Sequence, residues 1–273
     1  MSGAVGAGAN ESGAAFAPVA RTRRGRQAGA VLLPTAFAAA VLLLWEAGVR
    51  LAQVPEVILP PPSAILEAAW EDRAILLRHA VPTTLESAAG FLLATALGVA
   101  IAVLITYSRP ARLALYPNLV LFQLVPKIAL APLFLIWFGI GSSSRLAFAV
   151  FIAFFPIVIA SVSGLAHVDR NMVRLCRALT GTEWQIFVHV RFPAALPYIF
   201  GGMKVGVTLA IIGVVIGEFI TAQAGLGYLI IFATSRADTA VALAAILVLC
   251  ASGLALFGLV AAAERLAARR FGD

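Results

Sequence analysis

Long apolar runs separated by short charged intervals dominate the chain. Six runs are long enough to cross a bilayer, at about 31–49, 81–106, 113–138, 145–165, 198–220 and 240–262, since a helix needs about 20 apolar residues to span the hydrocarbon core. The runs are continuous rather than alternating, which predicts helices and argues against a membrane β-barrel. The third carries Pro117, Pro126 and Pro132, so it is expected to be kinked or broken. No internal repeat stands out. The fold class is therefore all-α, a polytopic membrane protein of about six transmembrane helices forming one domain over residues 30–270.

The intervals between the runs carry the local grammar. The longest charged one, Asp169 to Tyr198, reads as a helix, a sharp turn and a second helix. Met172 to Leu179 has helical spacing, with Arg170, Arg174 and Arg177 on its polar side. Gly181 is expected to supply the left-handed residue that closes this helix. Thr182, with Gln185 three residues on, forms a capping box that restarts the chain through Trp184 and Phe187. Pro193 and Pro197 are expected to end the second helix and open the next apolar run. From local chemistry alone, the feature is either a surface offered to a partner or an ordered polar loop. Between the first two runs, Leu59-Pro60-Pro61-Pro62-Ser63 is an extended stop. Ser63 is placed to cap a short helix through Trp70, which would lie at headgroup level.

Composition agrees with the pattern. The chain is 62% hydrophobic and only 12% charged, against roughly 25% charged residues in soluble domains. Charge placement adds orientation. With the N-terminus inside, thirteen arginines fall on the cytoplasmic side, among them Arg21, Arg109, Arg112, Arg191 and Arg265, and five fall outside. That bias predicts cytoplasmic termini and a cytoplasmic two-helix loop over 166–193. The positive charge is spread over several loops rather than gathered on one face, which argues against nucleic-acid binding. Residues 1–29 read as a disordered cytoplasmic tail. The arginines from Arg21 to Arg26 superficially look like an export signal. No small-residue cleavage site follows, however, and they are read as an anchor for the first span.

Independent chemistry is hard to place on this chain. Its two lysines, Lys127 and Lys204, do not follow a Gly, so no Walker A phosphate loop exists and no ATP site is expected. His79, His167 and His189 have no metal spacing, and Cys176 and Cys250 have neither metal spacing nor a plausible bridge. No cofactor is expected. Energy for uphill transport must then come from another subunit or from an ion gradient. Lys127 and Glu218 stand within spans, where ionisable groups are costly and usually functional. They either line a transport pathway or satisfy each other or the backbone. Glu46 and Glu86, nearer the interfaces, can reach water.

Several of these segments resemble one family. Trp184 to Phe200, WQIFVHVRFPAALPYIF, is similar to the downstream half of the coupling loop in permease subunits of ATP-binding-cassette importers. The upstream half departs from that pattern. Arg174 stands where the family usually has Glu, Leu175 and Cys176 replace two Ala, and Thr180-Gly181 replaces Gly-Ala. Pro126-Lys127-Ile128-Ala129-Leu130-Ala131-Pro132-Leu133, the Gly213-to-Glu218 run and Gly225-Leu226-Gly227-Tyr228 also resemble family segments. The Leu-Pro-x-Pro segment at Leu59 resembles the sulfonate, nitrate and taurine group. The Pro-Lys-Ile-Ala wording is closer to permeases for pyrimidine thiamine precursors or riboflavin.

The resemblance implies a type I importer permease of the bacterial inner membrane, working as a homodimer by alternating access. Its implied partners are ATPase subunits, two of them, and a periplasmic or lipid-tethered solute-binding protein. Arg174, Arg177, Gly181, Thr182, Trp184, Phe187 and Pro193 would form the ATPase-coupling loop. Trp184 either meets the ATPase or packs against its own bundle. A small polar organic solute is implied. The competing class is an ion-gradient-driven secondary transporter, in which the two-helix loop has no obvious role.

Overall fold

Helices occupy the long apolar runs because the bilayer offers no water to backbone N–H and C=O groups, so each segment must bond its own. The computed structural model describes residues 23–221 and 223–271, without the side chains of residues 23–31, Arg170 and Phe271. Most of the expected tail, Arg21 included, lies outside the described residues. The chain divides into two units, Met1–Gly48 and Val49–Asp273. The first contains most of α1 (Arg23–Leu51). Residues 23–29 of the expected tail are therefore helical. Arg, Gln and Ala are good helix formers and extend the first span.

The second unit runs through α2 (Pro62–Glu71), α3 (Arg73–Tyr107), α4 (Arg109–Gln123), a 3-10 turn (Lys127–Leu130), α5 (Ala131–Phe138) and α6 (Ser142–Ala166). It continues with α7 (Arg170–Ala178), α8 (Glu183–Ile186), a π turn (Phe187–Arg191), α9 (Phe192–Thr221), α10 (Leu226–Ser235) and α11 (Thr239–Phe271). Among the described residues, five helices are long and apolar enough to cross a membrane. They are six if α4 and the 127–138 segment, bent by 96°, make one broken span. The all-α, six-span expectation is met. Pro126 accounts for the break, since it lacks an N–H and pushes Val125 out of helical geometry.

One local reading needs correction. Ser63 does not cap α2. The helix begins at Pro62, with Pro61 at the cap position and no side-chain cap, an N-terminal site where proline is favoured. Ser63 instead accepts a hydrogen bond from Arg50 Nη2 at 3.0 Å. Trp70 is exposed, with the Arg73 guanidinium 4.9 Å from its ring centroid.

The core lies where α3, α6 and α9 meet, and Phe91, Ala94, Ala153, Ile157, Val207 and Ala210 are buried there. In lipid no hydrophobic force drives helices together, so close packing of small residues has to do it. Gly202, Gly206, Gly213 and Gly217 form that seam on α9. A Cβ on Gly213 would stand 2.8 Å from Ala149 Cα, and one on Gly206 would stand 2.6 Å from Ile157 Cδ1. On α3, Gly98 meets Ile157 in the same way. Gly201 faces open space. Replacing Gly213 with Leu should therefore destabilise the bundle by about 1–3 kcal/mol. It should show as a lower melting temperature and less monodisperse protein in detergent. Gly201→Leu, one residue from the seam, should match the parent.

Candidate functional site

The segment from Ala166 to Phe192 joins the two most closely packed helices, α6 and α9, at one end of the bundle. The Asp169 side chain caps α7 by accepting from the Asn171 N–H at 2.8 Å. At the far end, the Thr180 N–H donates to Arg177 O at 3.1 Å and the Gly181 N–H to Cys176 O at 2.9 Å. These two bonds make a Schellman cap. The left-handed residue in it is Thr180, with φ 62°, not Gly181 as expected. A glycine is needed at 181 for a different reason, because a Cβ there would stand 2.8 Å from Cys176 O. Thr180 thus holds a conformation that costs a β-branched residue about 1–2 kcal/mol.

Thr182 then opens α8. Its hydroxyl accepts from the Gln185 N–H at 3.3 Å, and Gln185 Oε1 accepts from the Thr182 N–H at 2.8 Å, closing the capping box. Arg177 spans the turn to Glu183 at 2.8 Å, an exposed ion pair within the loop. Exposed pairs contribute at most about 1 kcal/mol, so this one orients the two helices more than it stabilises them. Ile186 is fully buried and Val173 is buried, pinning the loop to the bundle, while Leu179 (72%) and Trp184 (71%) are exposed. The Trp184 ring stacks on Phe187 at 5.7 Å, and Phe187 meets Tyr107 edge-on at 5.8 Å. Arg174 is exposed, and among the described residues it forms no ion pair.

Pro193 and Pro197 do not end the second helix. Residues 183–221 form one continuous helical stretch. The Phe192 N–H bonds Phe187 O, five residues back. This wider π turn gives room before Pro193, whose missing N–H leaves no donor stranded. The second half of the loop, 183–191, is consequently an extension of α9 rather than a separate piece.

Lys127 and Glu218 do not meet. Lys127 Nζ donates to Gln123 O at 3.2 Å and lies 5.2 Å from the Phe155 ring centroid, at the break in the bent span. Glu218 is 2% exposed. Its Oε1 accepts from Thr83 Oγ1 at 2.7 Å and its Oε2 from the Gly227 N–H at 2.8 Å. Thr83 Oγ1 also accepts from the Leu226 N–H at 2.8 Å, and His79 Nδ1 from the Gly225 N–H at 3.0 Å. Three orphan N–H groups at the start of α10 are thus met by side chains of α3 and α9. Gly225, at φ 115°, has no room for a Cβ against the Glu218 carboxyl group.

Sequence reasoning missed this knot, although His79, Thr83 and Ser87 recur at helical spacing along α3. It also missed that Glu86 turns inward to Arg145, with bonds of 2.6 and 2.7 Å, instead of reaching for water. Lys204 of α9 pairs with Glu264 of α11 at 2.5 Å.

Comparison with known proteins decides the family. Residues 94–269 match the model of the binding-protein-dependent transport system inner membrane component. The chain belongs to that family of ABC importer permeases. It is similar to the riboflavin transport system permease protein RibX of Chloroflexus aurantiacus, with 34% identity over 84% of this chain and 86% of that one. It is also similar to the putative aliphatic sulfonates transport permease protein SsuC of Bacillus subtilis, with 31% identity over 85% and 83%. The fold resembles a chain of the inward-facing MetNI methionine ABC transporter, with TM-score 0.56 and 19% identity over 70% of this chain and 96% of that one.

The protein is therefore a multi-pass inner-membrane permease subunit that works with an ATPase and a solute-binding protein and has no ATPase activity of its own. Family membership also decides against the ion-gradient-driven carrier. The loop geometry generates a prediction of its own. Thr180→Gly should relieve the left-handed strain and slow hydrogen exchange of the Gly181 amide, by a factor matching up to about 1 kcal/mol. Gly181→Val should instead speed exchange across residues 176–185. Equal exchange in both variants would mean that the cap does not hold the loop.

Proposed function

We propose that residues 167–191 are the cytoplasmic docking element for two ATPase subunits, that two copies of the permease enclose the pathway, and that both termini are cytoplasmic. The observation that carries this reading is a contrast within the loop. Its backbone is closed by two caps and a capping box, yet Met172, Leu175, Leu179 and Trp184 are exposed. Exposed apolar clusters outside the spans mark interaction surfaces. Arg174 is available to an acidic ATPase side chain. Arg177, held by Glu183, together with Gly181 and Thr182, keeps the frame stiff.

ATP-driven closure of the ATPase pair would draw the two loops together. Trp184 and Phe187 would pass that displacement to Tyr107 of α3, and the unbroken helix through Pro193 would pass it to α9, rocking the spans about a central pathway. Lys127, at the break in the bent span, is the better candidate for the pathway. Glu218 is better suited to holding α10. The solute is a small polar organic molecule delivered by a periplasmic or lipid-tethered binding protein. Relatives named for riboflavin and for aliphatic sulfonates are almost equally similar, which fits selectivity residing in that binding protein. The Pro126-to-Leu133 wording leans towards the riboflavin and pyrimidine side.

Orientation is tested with single cysteines at Thr182 and Ser63 in a background lacking Cys176 and Cys250. Impermeant reagent should label position 63 from outside intact cells and position 182 only after the membrane is opened. Labelling of both from one side would contradict the topology. For coupling, Trp184→Ala should leave permease abundance near normal, because the ring is exposed within its own chain. ATPase co-purification and ATP-dependent uptake should fall at least about tenfold, as for loss of an interface hot spot. Reduced abundance with normal partner retention would assign the ring to the permease's own core.

A further inference from the structure

Four arginines converge at the base of the loop. Arg112 of α4, Arg174 and Arg177 of α7, and Arg191 of the π turn line one cavity of about 430 Å³, completed by Thr106 and Val173 among others. Among the described residues, no carboxylate lines it, and the acidic group bonded to this set is Glu183, on Arg177. Arg112 is fixed by donating to Ile105 O at 3.3 Å and Thr106 O at 2.9 Å, which leaves part of its guanidinium unused. Arg191 lies 5.4 Å from the Tyr107 ring centroid, and its buried Nε has no hydrogen-bond partner among the described residues.

Such an arrangement is unfavourable when empty. Like charges gathered around a shared cavity repel one another. A bound anion with several oxygens removes that penalty. Planar guanidinium forks favour phosphate and carboxylate, which accept two parallel bonds. A phosphate could come from solution or from a lipid. The surroundings discriminate between these sources. An adjoining cavity of about 280 Å³ shares Thr106, Arg112 and Ala166 with the first and continues between α4 and α6 past Tyr116 and Val162. A cationic pocket that opens into a groove between spanning helices, at the end where those helices leave the bilayer, has the form of a headgroup site with a path for an acyl chain.

We propose that these joined cavities bind an anionic phospholipid, with its phosphate among Arg112, Arg174 and Arg191 and an acyl chain in the groove between α4 and α6. The bound lipid would tie α7 to the ends of α3, α4 and α6 and so set how firmly the loop is held. Only the choice of leaflet rests on the orientation proposed above. Arg174, assigned above to the ATPase, would be shared with it, so the permease is tested without ATPase.

The full-length permease, purified without ATPase, is incubated with equal amounts of phosphatidylglycerol and phosphatidylcholine, and retained lipid is read by native mass spectrometry. Phosphatidylglycerol should be retained preferentially. The double variant R174Q/R191Q should lose about tenfold or more of that retention, given the usual contribution of each arginine near an anionic headgroup. Val162→Trp, which fills the groove and leaves the charges in place, should weaken retention as well. Both variants should elute as the parent does in size exclusion. Equal retention of the two lipids would overturn the proposal, as would unchanged phosphatidylglycerol retention in R174Q/R191Q. Binding of inorganic phosphate without any preference between the lipids would assign the pocket to a free anion and equally overturn it.

Discussion

The close approach of α6 and α9 is the constraint on which the rest of the molecule depends. Lipid surrounds both helices with material as apolar as their own side chains, so burial does not hold them together. Contact distance does. Gly202, Gly206, Gly213 and Gly217 let α9 settle against the backbone and side chains of Arg145, Ala149, Pro156 and Ile157. The two candidate functional features sit at opposite ends of that seam. The loop bridges the two helices at one end. At the other, Glu218 on α9 joins α3 in fixing the start of α10.

This placement gives the loop its mechanical character. Two short helices in water would not be stable alone. Here Asp169, the Schellman bonds and the Thr182–Gln185 box close their ends, each cap worth about 1 kcal/mol, and Ile186 and Val173 sink into the bundle. The π turn avoids a hinge between α8 and α9. A force applied at Trp184 therefore meets a continuous helix on one side and an aromatic contact to Tyr107 on the other. Strain at Thr180 is affordable because hydrogen bonds on both sides over-determine the turn.

Much of this was legible in the sequence. Spans follow from length and hydropathy, the break from three prolines, and the capping box from a four-residue pattern. The errors are physical ones. Thr180-Gly181 was read with glycine in the left-handed role, since composition favours it there. The register of the cap gives that role to Thr180, and glycine is needed one residue later for clearance from Cys176. Pro193 and Pro197 read as stops, but a π turn and a membrane environment accommodate proline within a helix. Glu86 was read as reaching water and Glu218 as lining a pathway or meeting Lys127 or the backbone, because their side-chain partners are distant in sequence. Thr83 lies 135 residues from Glu218 and Arg145 lies 59 from Glu86. Such pairings depend on which helices become neighbours, and that is decided by the glycine seam rather than by any local pattern.

The central claim is that an exposed aromatic on a rigid loop receives the force of ATP-driven closure from a separate subunit. A photo-crosslinking phenylalanine analogue at position 184, in the assembled importer within native membranes, tests this most directly, since it keeps an aromatic ring at the site. The account predicts a crosslink to the ATPase subunit, with a yield that changes between nucleotide-free and ATP-bound states. Crosslinks confined to the permease itself or to lipid, with no ATPase adduct in either state, would contradict it.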